Sequence, residues 1–194
     1  MFPFLAIFIT FCLVLTYYIR KSDASQQKVE YEFWEKERLA NAVRKKDISK
    51  LDYITIPSEK IPQKLDTLTE KKLFALADKP MLNLTGISNT DLKLQYGTAN
   101  INILSEYDAN FIEFVSLLPE YADELIEAGF EDTALMLLEF AIDCNADSRK
   151  LYQQLATLYL ENHQPEKLDI LWTASENLPE LTKKAVQKDL SSMN

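Results

Sequence analysis

Catalysis and metal binding need nucleophiles, titratable groups or soft ligands that converge, and this chain carries few of them. His163 is its only histidine, and its two cysteines, Cys12 and Cys144, stand far apart, one inside an apolar run and one at the end of a helical pattern. One histidine and two separated thiols do not supply the closely spaced ligands of a zinc site, so neither a metal nor a cofactor is expected. Phosphate-binding loops, dinucleotide fingerprints, nucleophile elbows and calcium loops are all missing from the sequence. Carboxylate pairs such as Asp123 with Glu127 and Glu131 with Asp132 are common. Their helical spacing sets them on outward faces, whereas glycoside hydrolysis or divalent-metal chemistry needs buried, convergent carboxylates. His163 reads as an exposed turn residue, and an enzyme is not expected.

Binding residues remain. The stretch MLNLTGISNTDLKLQYGTANIN, 81–102, holds two of the three glycines, Gly86 and Gly97, around a short helix that Asn89 or Thr90 is placed to cap. It reads as a structural loop or as a polar binding loop over 83–100, with Asn89, Asp91 and Tyr96 as the candidate site. Asn83, Leu84 and Thr85 spell a glycosylation sequon, which matters only in a eukaryotic secretory lumen.

The elements that position these residues begin at a membrane. Phe2 to Ile19, FPFLAIFITFCLVLTYYI, is apolar and uncharged, with Arg20 and Lys21 directly behind it. At about 1.5 Å per residue this run reaches roughly 27 Å, close to the ~30 Å hydrocarbon thickness of a bilayer. A cleavable signal carries its positive charge before the apolar stretch, and here the charge follows it, so an uncleaved anchor over 1–21 is expected. The positive flank places the C-terminal side in the cytoplasm of a cell-membrane protein that spans once.

Beyond the anchor the charge divides unevenly. Residues 20–72 hold 13 Lys and Arg against 10 Asp and Glu, net +3, and residues 73–194 hold 8 against 20, net −12. An acidic distal section is unsuited to nucleic acid, and a basic root suits anionic lipid, which Arg44, Lys45, Lys46 and Lys50 are placed to touch. Residues 22–64 read as a juxtamembrane helix and an extended linker. The helical part is Gln26 to Lys46, with Val29, Phe33, Ala40 and Val43 on one stripe and Trp34 and Leu39 beside it. It either packs that stripe on the domain or serves as a membrane-surface helix or dimerising stalk. The two prolines of LDYITIP and KIP make the linker extended. Residues 65–114 form the first part of the soluble domain. It contains a helix over Leu65 to Ala77 capped by Asp66 or Thr67, with Leu68, Leu73, Leu76 and Ala77 available for burial.

Residues 115–194 contain a recurrence at 34 residues. Leu118, Tyr121, Ala122 and Leu125 are matched by Tyr152, Leu155, Ala156 and Tyr159; Gly129 is matched by His163; Ala134, Leu138 and Ala141 are matched by Leu168, Trp172 and Ser175. Over Val115 to about Asn177 this pattern resembles the tetratricopeptide repeat, an antiparallel helix pair stacked into an array. It departs at Leu168, Ser175 and Ala146. The resemblance implies an all-α fold, an N-terminal transmembrane helix followed by a stack of helix pairs, closed by a capping helix with Leu181, Ala185 and Leu190 inward. The order of anchor, RKKDISKLDYITIP, NLTGISNTDLKLQYG and terminal repeats is also similar to a family of uncharacterised bacterial single-pass membrane-anchored proteins, which implies no activity or ligand. The expected function is protein–protein interaction, as an adaptor or scaffold, through Asp123, Glu127, Gln153, Gln154 and Thr157 on the first helices. A non-catalytic structural subunit of a membrane complex and a small polar-ligand sensor acting through 83–100 are the alternatives.

Overall fold

The computed structural model describes residues 2–61, 63 and 65–193. The second proline of the linker, Pro62, and the linker's last residue, Lys64, lie outside the described residues. Among those described the fold is all-α, with eight α-helices and no strand beyond a single bridge between Ile54 and Met81. In chain order the helices are α1 (Phe2–Asn41), α2 (Leu68–Ala77), α3 (Asn89–Tyr96), α4 (Ile101–Glu127), α5 (Glu131–Asp143), α6 (Arg149–Glu161), α7 (Leu168–Ser175) and α8 (Glu180–Met193). They group into two packed units, one of Met1–Asp47 with Ser88–Ile101 and one of Ile48–Ile87 with Asn102–Asn194.

In the first unit α1 runs unbroken for 40 residues. Its apolar beginning is long enough to cross a membrane, and none of that stretch is buried by protein. The same helix leaves Val29, Tyr31, Phe33 and Trp34 each more than half exposed. Its last turns pack on α3. Ala40 is fully buried and Leu92 nearly so, the Glu37 carboxylate accepts from Lys93 and, at 2.7 Å, from the Thr90 hydroxyl, and Lys36 pairs with Asp91 at 2.7 Å. Gly97 closes this packing at φ +87°, where an added Cβ would lie 2.3 Å from the Arg44 carbonyl oxygen. The rarity of glycine in this chain is thus explained at one position by close backbone approach.

The second unit begins with extended chain, as its prolines require. Ile56 and Ile61 are buried, and the Ile54 N–H donates to the Met81 carbonyl at 2.9 Å. Thr67 caps α2 by accepting from the Glu70 N–H at 3.0 Å, while Glu70 reaches back to the Asp66 N–H at 2.9 Å, a capping box. Glu70 is itself buried and receives the Tyr121 hydroxyl at 3.3 Å. Burial, with this carboxylate beside it, raises the Tyr121 phenol above its ordinary value. Leu73 and Leu76 are buried, but Leu68 is 68 % exposed, because it is the first helical residue and points away from the stripe that those two define.

The remaining helices form one core. α4 and α5 fold back on each other so that the Phe114 and Phe140 rings meet edge to face at 6.0 Å. All eight first-helix residues of the 34-residue recurrence, Leu118 to Leu125 and Tyr152 to Tyr159, are buried. On the second helices Ala134, Leu138, Ala141, Leu168 and Ser175 are buried as well, whereas Trp172 is 41 % exposed and Leu171 occupies the interior. The cause is a 3₁₀ turn over Pro165–Lys167 before α7, where α5 is already α-helical. Three residues at 3.0 per turn rotate the chain about 60° further than three at 3.6, so the inward position arrives one residue early. Ser175 tolerates burial because its hydroxyl donates to the Trp172 carbonyl at 2.6 Å. In α8 the inward residues are Val186 and Leu190. Leu181, expected inward, is 86 % exposed because it lies in the first turn and overhangs the packed face.

Three chain reversals share one geometry. After α4, α5 and α6 the residue that ends the helix has positive φ: Gly129 at +80°, Asn145 at +55° and His163 at +55°. Each donates to the carbonyl three back, and its successor donates to the carbonyl five back: Phe130 to Leu125 at 2.8 Å, Ala146 to Ala141 at 3.0 Å and Gln164 to Tyr159 at 2.8 Å. These paired bonds satisfy carbonyls that the helix end would leave bare. A side chain in this left-handed region costs about 1 kcal/mol relative to glycine. His163→Gly is therefore expected to raise the stability of the full chain by about 1 kcal/mol, and Gly129→Ala, which meets no neighbour, to lower it by a similar amount, in urea titrations followed by circular dichroism.

Candidate functional site

The five residues expected to contact a partner lie on α4 and α6, and the structure brings three of them into bonded crossings between helices. The Gln154 amide donates to Asp123 Oδ1 at 2.6 Å and to the Pro119 carbonyl at 2.9 Å, and Lys150 stands 3.7 Å from Asp123 Oδ2. One helix further along, Gln153 donates to Asp189 Oδ2 at 2.8 Å, and Arg149 grips both oxygens of Asp189 at 2.6 and 2.7 Å. The Arg149 guanidinium holds the Asp189 carboxyl below its ordinary value of 3.8. Thr157 donates to its own helix at the Gln153 carbonyl, 2.9 Å away. Glu127 is exposed and has no ion-pair partner among the described residues. So α4, α6 and α8 are tied edge to edge, and most of this strip's hydrogen-bonding capacity is committed within the protein.

The loop residues do not converge. Ser88, not Asn89 or Thr90, caps α3: its oxygen accepts from the Asp91 N–H at 3.2 Å and its hydroxyl donates to Asp91 Oδ2 at 2.5 Å. Thr90 is absent from the cap because its hydroxyl is bonded to Glu37. Lys36, then Ser88, hold the Asp91 carboxyl below its ordinary value. Asn89 is exposed, and the Tyr96 carbonyl accepts from the Lys46 N–H at 3.0 Å and the Asn100 amide at 2.7 Å. These three residues belong to the unit built on α1, while residues 81–87 belong to the other. Within that other unit the sequon residue Asn83 is a staple, donating to the carbonyls of Cys144 and Asn145 at 2.8 and 2.9 Å.

No group of three or more histidine, cysteine or acidic side chains among the described residues can hold a metal ion. Burial pushes the Cys144 thiol up to about 11, which leaves it a poor nucleophile at neutral pH. His163 lies exposed at its turn.

A concavity of about 370 Å³ opens beside α4, floored by Phe111, Ile112, Val115 and Pro119 and walled by Ser148 and Lys150. The signal for it in the sequence is Pro119. Inside a helix a proline has no N–H to offer the carbonyl four residues back, here that of Val115, and it locally disturbs the helix surface. Arg149 and Asp189 carry no comparable signal, since their pairing depends on how α6 meets α8. Comparison with protein-family models, with curated proteins and with solved structures found no match.

The Arg149–Asp189 crossing has a definite pH signature. A carboxyl depressed in the folded state contributes stability above its unfolded value and loses it as pH falls through the folded value. Arg149→Met is expected to lower the melting temperature at pH 7. The gap to the parent should stay open down to about pH 4 and close below it, as measured by thermal melts from pH 7 to pH 2.5.

Proposed function

We propose that this chain is a single-span membrane protein that presents a tetratricopeptide-like helical stack on the cytoplasmic side and there binds another protein. The observation that carries the reading is the repeated unit itself. At an interval of 34 residues the helix ends at 127 and 161, the positive-φ residues at 129 and 163 and the buried first-helix quartets all recur. Stacks of such helix pairs present the edges of their first helices as one surface, which is how repeat proteins offer binding grooves. With so few convergent reactive groups, recognition rather than catalysis is the use this surface supports.

The anchor sets the distance at which that surface works. α1 continues for 22 residues past Ile19, about 33 Å of helix. That exceeds several screening lengths of about 8–10 Å. With α1 upright, the basic segment Arg44 to Lys46 stands well beyond the headgroups, so it is not assigned to lipid. The exposed Val29, Tyr31, Phe33 and Trp34 favour a second reading, in which α1 assembles with other membrane spans as part of a structural subunit.

The two readings respond oppositely to two changes. Chemical crosslinking in native membranes followed by affinity purification compares the parent chain with Glu127→Lys and with a chain whose residues 2–19 are replaced by an unrelated apolar span. An adaptor is expected to lose a specific crosslinked protein with Glu127→Lys and to keep it with the exchanged span. The reverse pattern would overturn the adaptor reading in favour of the structural subunit.

A further inference from the structure

We infer that the concavity on α4 receives a large apolar side chain from a basic, amphipathic helical segment of a partner protein. This inference rests on the adaptor reading and moves its contact surface from the Asp123–Gln154 strip to the neighbouring face of the same helix.

The concavity provides the apolar part. Phe111, Val115 and Pro119 floor it, and Ile112 at its edge is 57 % exposed, although α4 is elsewhere a helix that buries its large apolar residues. Isolated exposed isoleucines are ordinary, but one that rims an apolar hollow of about 370 Å³ provides both a cavity and a contact. The face that carries Ile112 is narrow in its other members: Ser105, Ala109 and Ser116 follow the 3,4 spacing that brings them into line with it, and all three are exposed. Small residues along such a line let a second helix approach closely.

Charge selects the occupant. Glu106, Glu113, Glu120 and Glu127 recur every seven residues along the exposed edge of this face, and none has an ion-pair partner among the described residues. Seven residues are two turns, about 10.5 Å, so the row is a ladder of carboxylates about 31 Å long. A helix carrying Lys or Arg at the same seven-residue period meets every rung. An acidic segment, or an anionic lipid surface, meets repulsion from a section whose net charge is −12. A second copy of the same face would set two acidic ladders against each other. The one cation at the concavity, Lys150, already has Asp123 at 3.7 Å and leaves the balance negative.

The test uses the full chain in discs of zwitterionic lipid, with empty discs as blank, and fluorescence anisotropy of three labelled peptides of about three heptads. One carries leucine on a heptad seam with lysine on its flanks, one has the same composition scrambled, and one replaces each lysine by glutamate. The expected result is salt-sensitive binding of the first peptide, at least about tenfold tighter than either control. That preference should be lost in Ile112→Ala and in the double variant E113K/E120K, all of whose positions are exposed and whose folding circular dichroism checks. Equal binding of the scrambled peptide would overturn the inference by showing attraction to net charge alone. Equal binding of the glutamate peptide, no binding at all, or a dimer of the chain that Ile112→Ala dissolves and the lysine peptide does not displace would also overturn it. Should the peptide fail while a Glu127-dependent crosslinked partner persists in native membranes, the adaptor reading stands without this surface. Loss of both removes the adaptor reading.

Discussion

Helices of eight to 14 residues are marginal on their own in water, and α5, α6, α7 and α8 all fall in that range. Each is held by burying one stripe against its neighbours, so the chain must reverse direction at fixed places with little slack. The residues in left-handed conformation at Gly129, Asn145 and His163 perform these reversals. Their paired backbone bonds finish one helix while aiming the chain into the next. The burial of the Tyr121–Leu125 and Leu155–Tyr159 stripes, the crossings between first helices and the free face of α4 all follow from those turns.

With the turns in place, the polar groups sort into those the fold uses and those it leaves. Glu70, Asn83, Asp91, Asp123, Gln153, Gln154 and Asp189 all make bonds inside the protein. Such groups hold elements in register and are poor contacts for a partner, because binding them first breaks an existing bond. Glu106, Glu113, Glu120 and Glu127 are exposed carboxylates outside those networks. The abundance of acid in the distal section is therefore concentrated, in part, on one helix edge beside an apolar hollow.

Much of the architecture was legible in the sequence, and the reasons differ by element. The apolar run of α1, the 34-residue recurrence, the cap at Thr67 and the extended linker rest on local composition and spacing, which physical rules convert directly to structure. The exposure of Trp172 was not legible, since it follows from a 3₁₀ turn at Pro165 that shifts phase by less than one residue. Leu68 and Leu181 look inward by period yet sit in first turns, where the packed neighbour does not extend. Ser88 outcompeted Asn89 and Thr90 for the α3 cap because Thr90 was claimed by Glu37, a residue 53 positions away. The candidate strip on α4 and α6 was placed on the right helices by periodicity. That its amides and carboxylates bond to one another depends on helix stacking, and so does the hollow at Pro119, for which the proline was the only local sign.

The central claim is that the three reversals make the helical stack one cooperative body. Amide hydrogen exchange of the full chain, resolved at Gly129, Phe130, Asn145, Ala146, His163 and Gln164, tests it most directly. The account predicts that all six exchange slowly and together with the core amides of α4 and α6, with one common opening free energy. Fast exchange at His163 and Gln164 while the turn at Gly129 stays protected would contradict it, because the second helix pair would then open independently of the first.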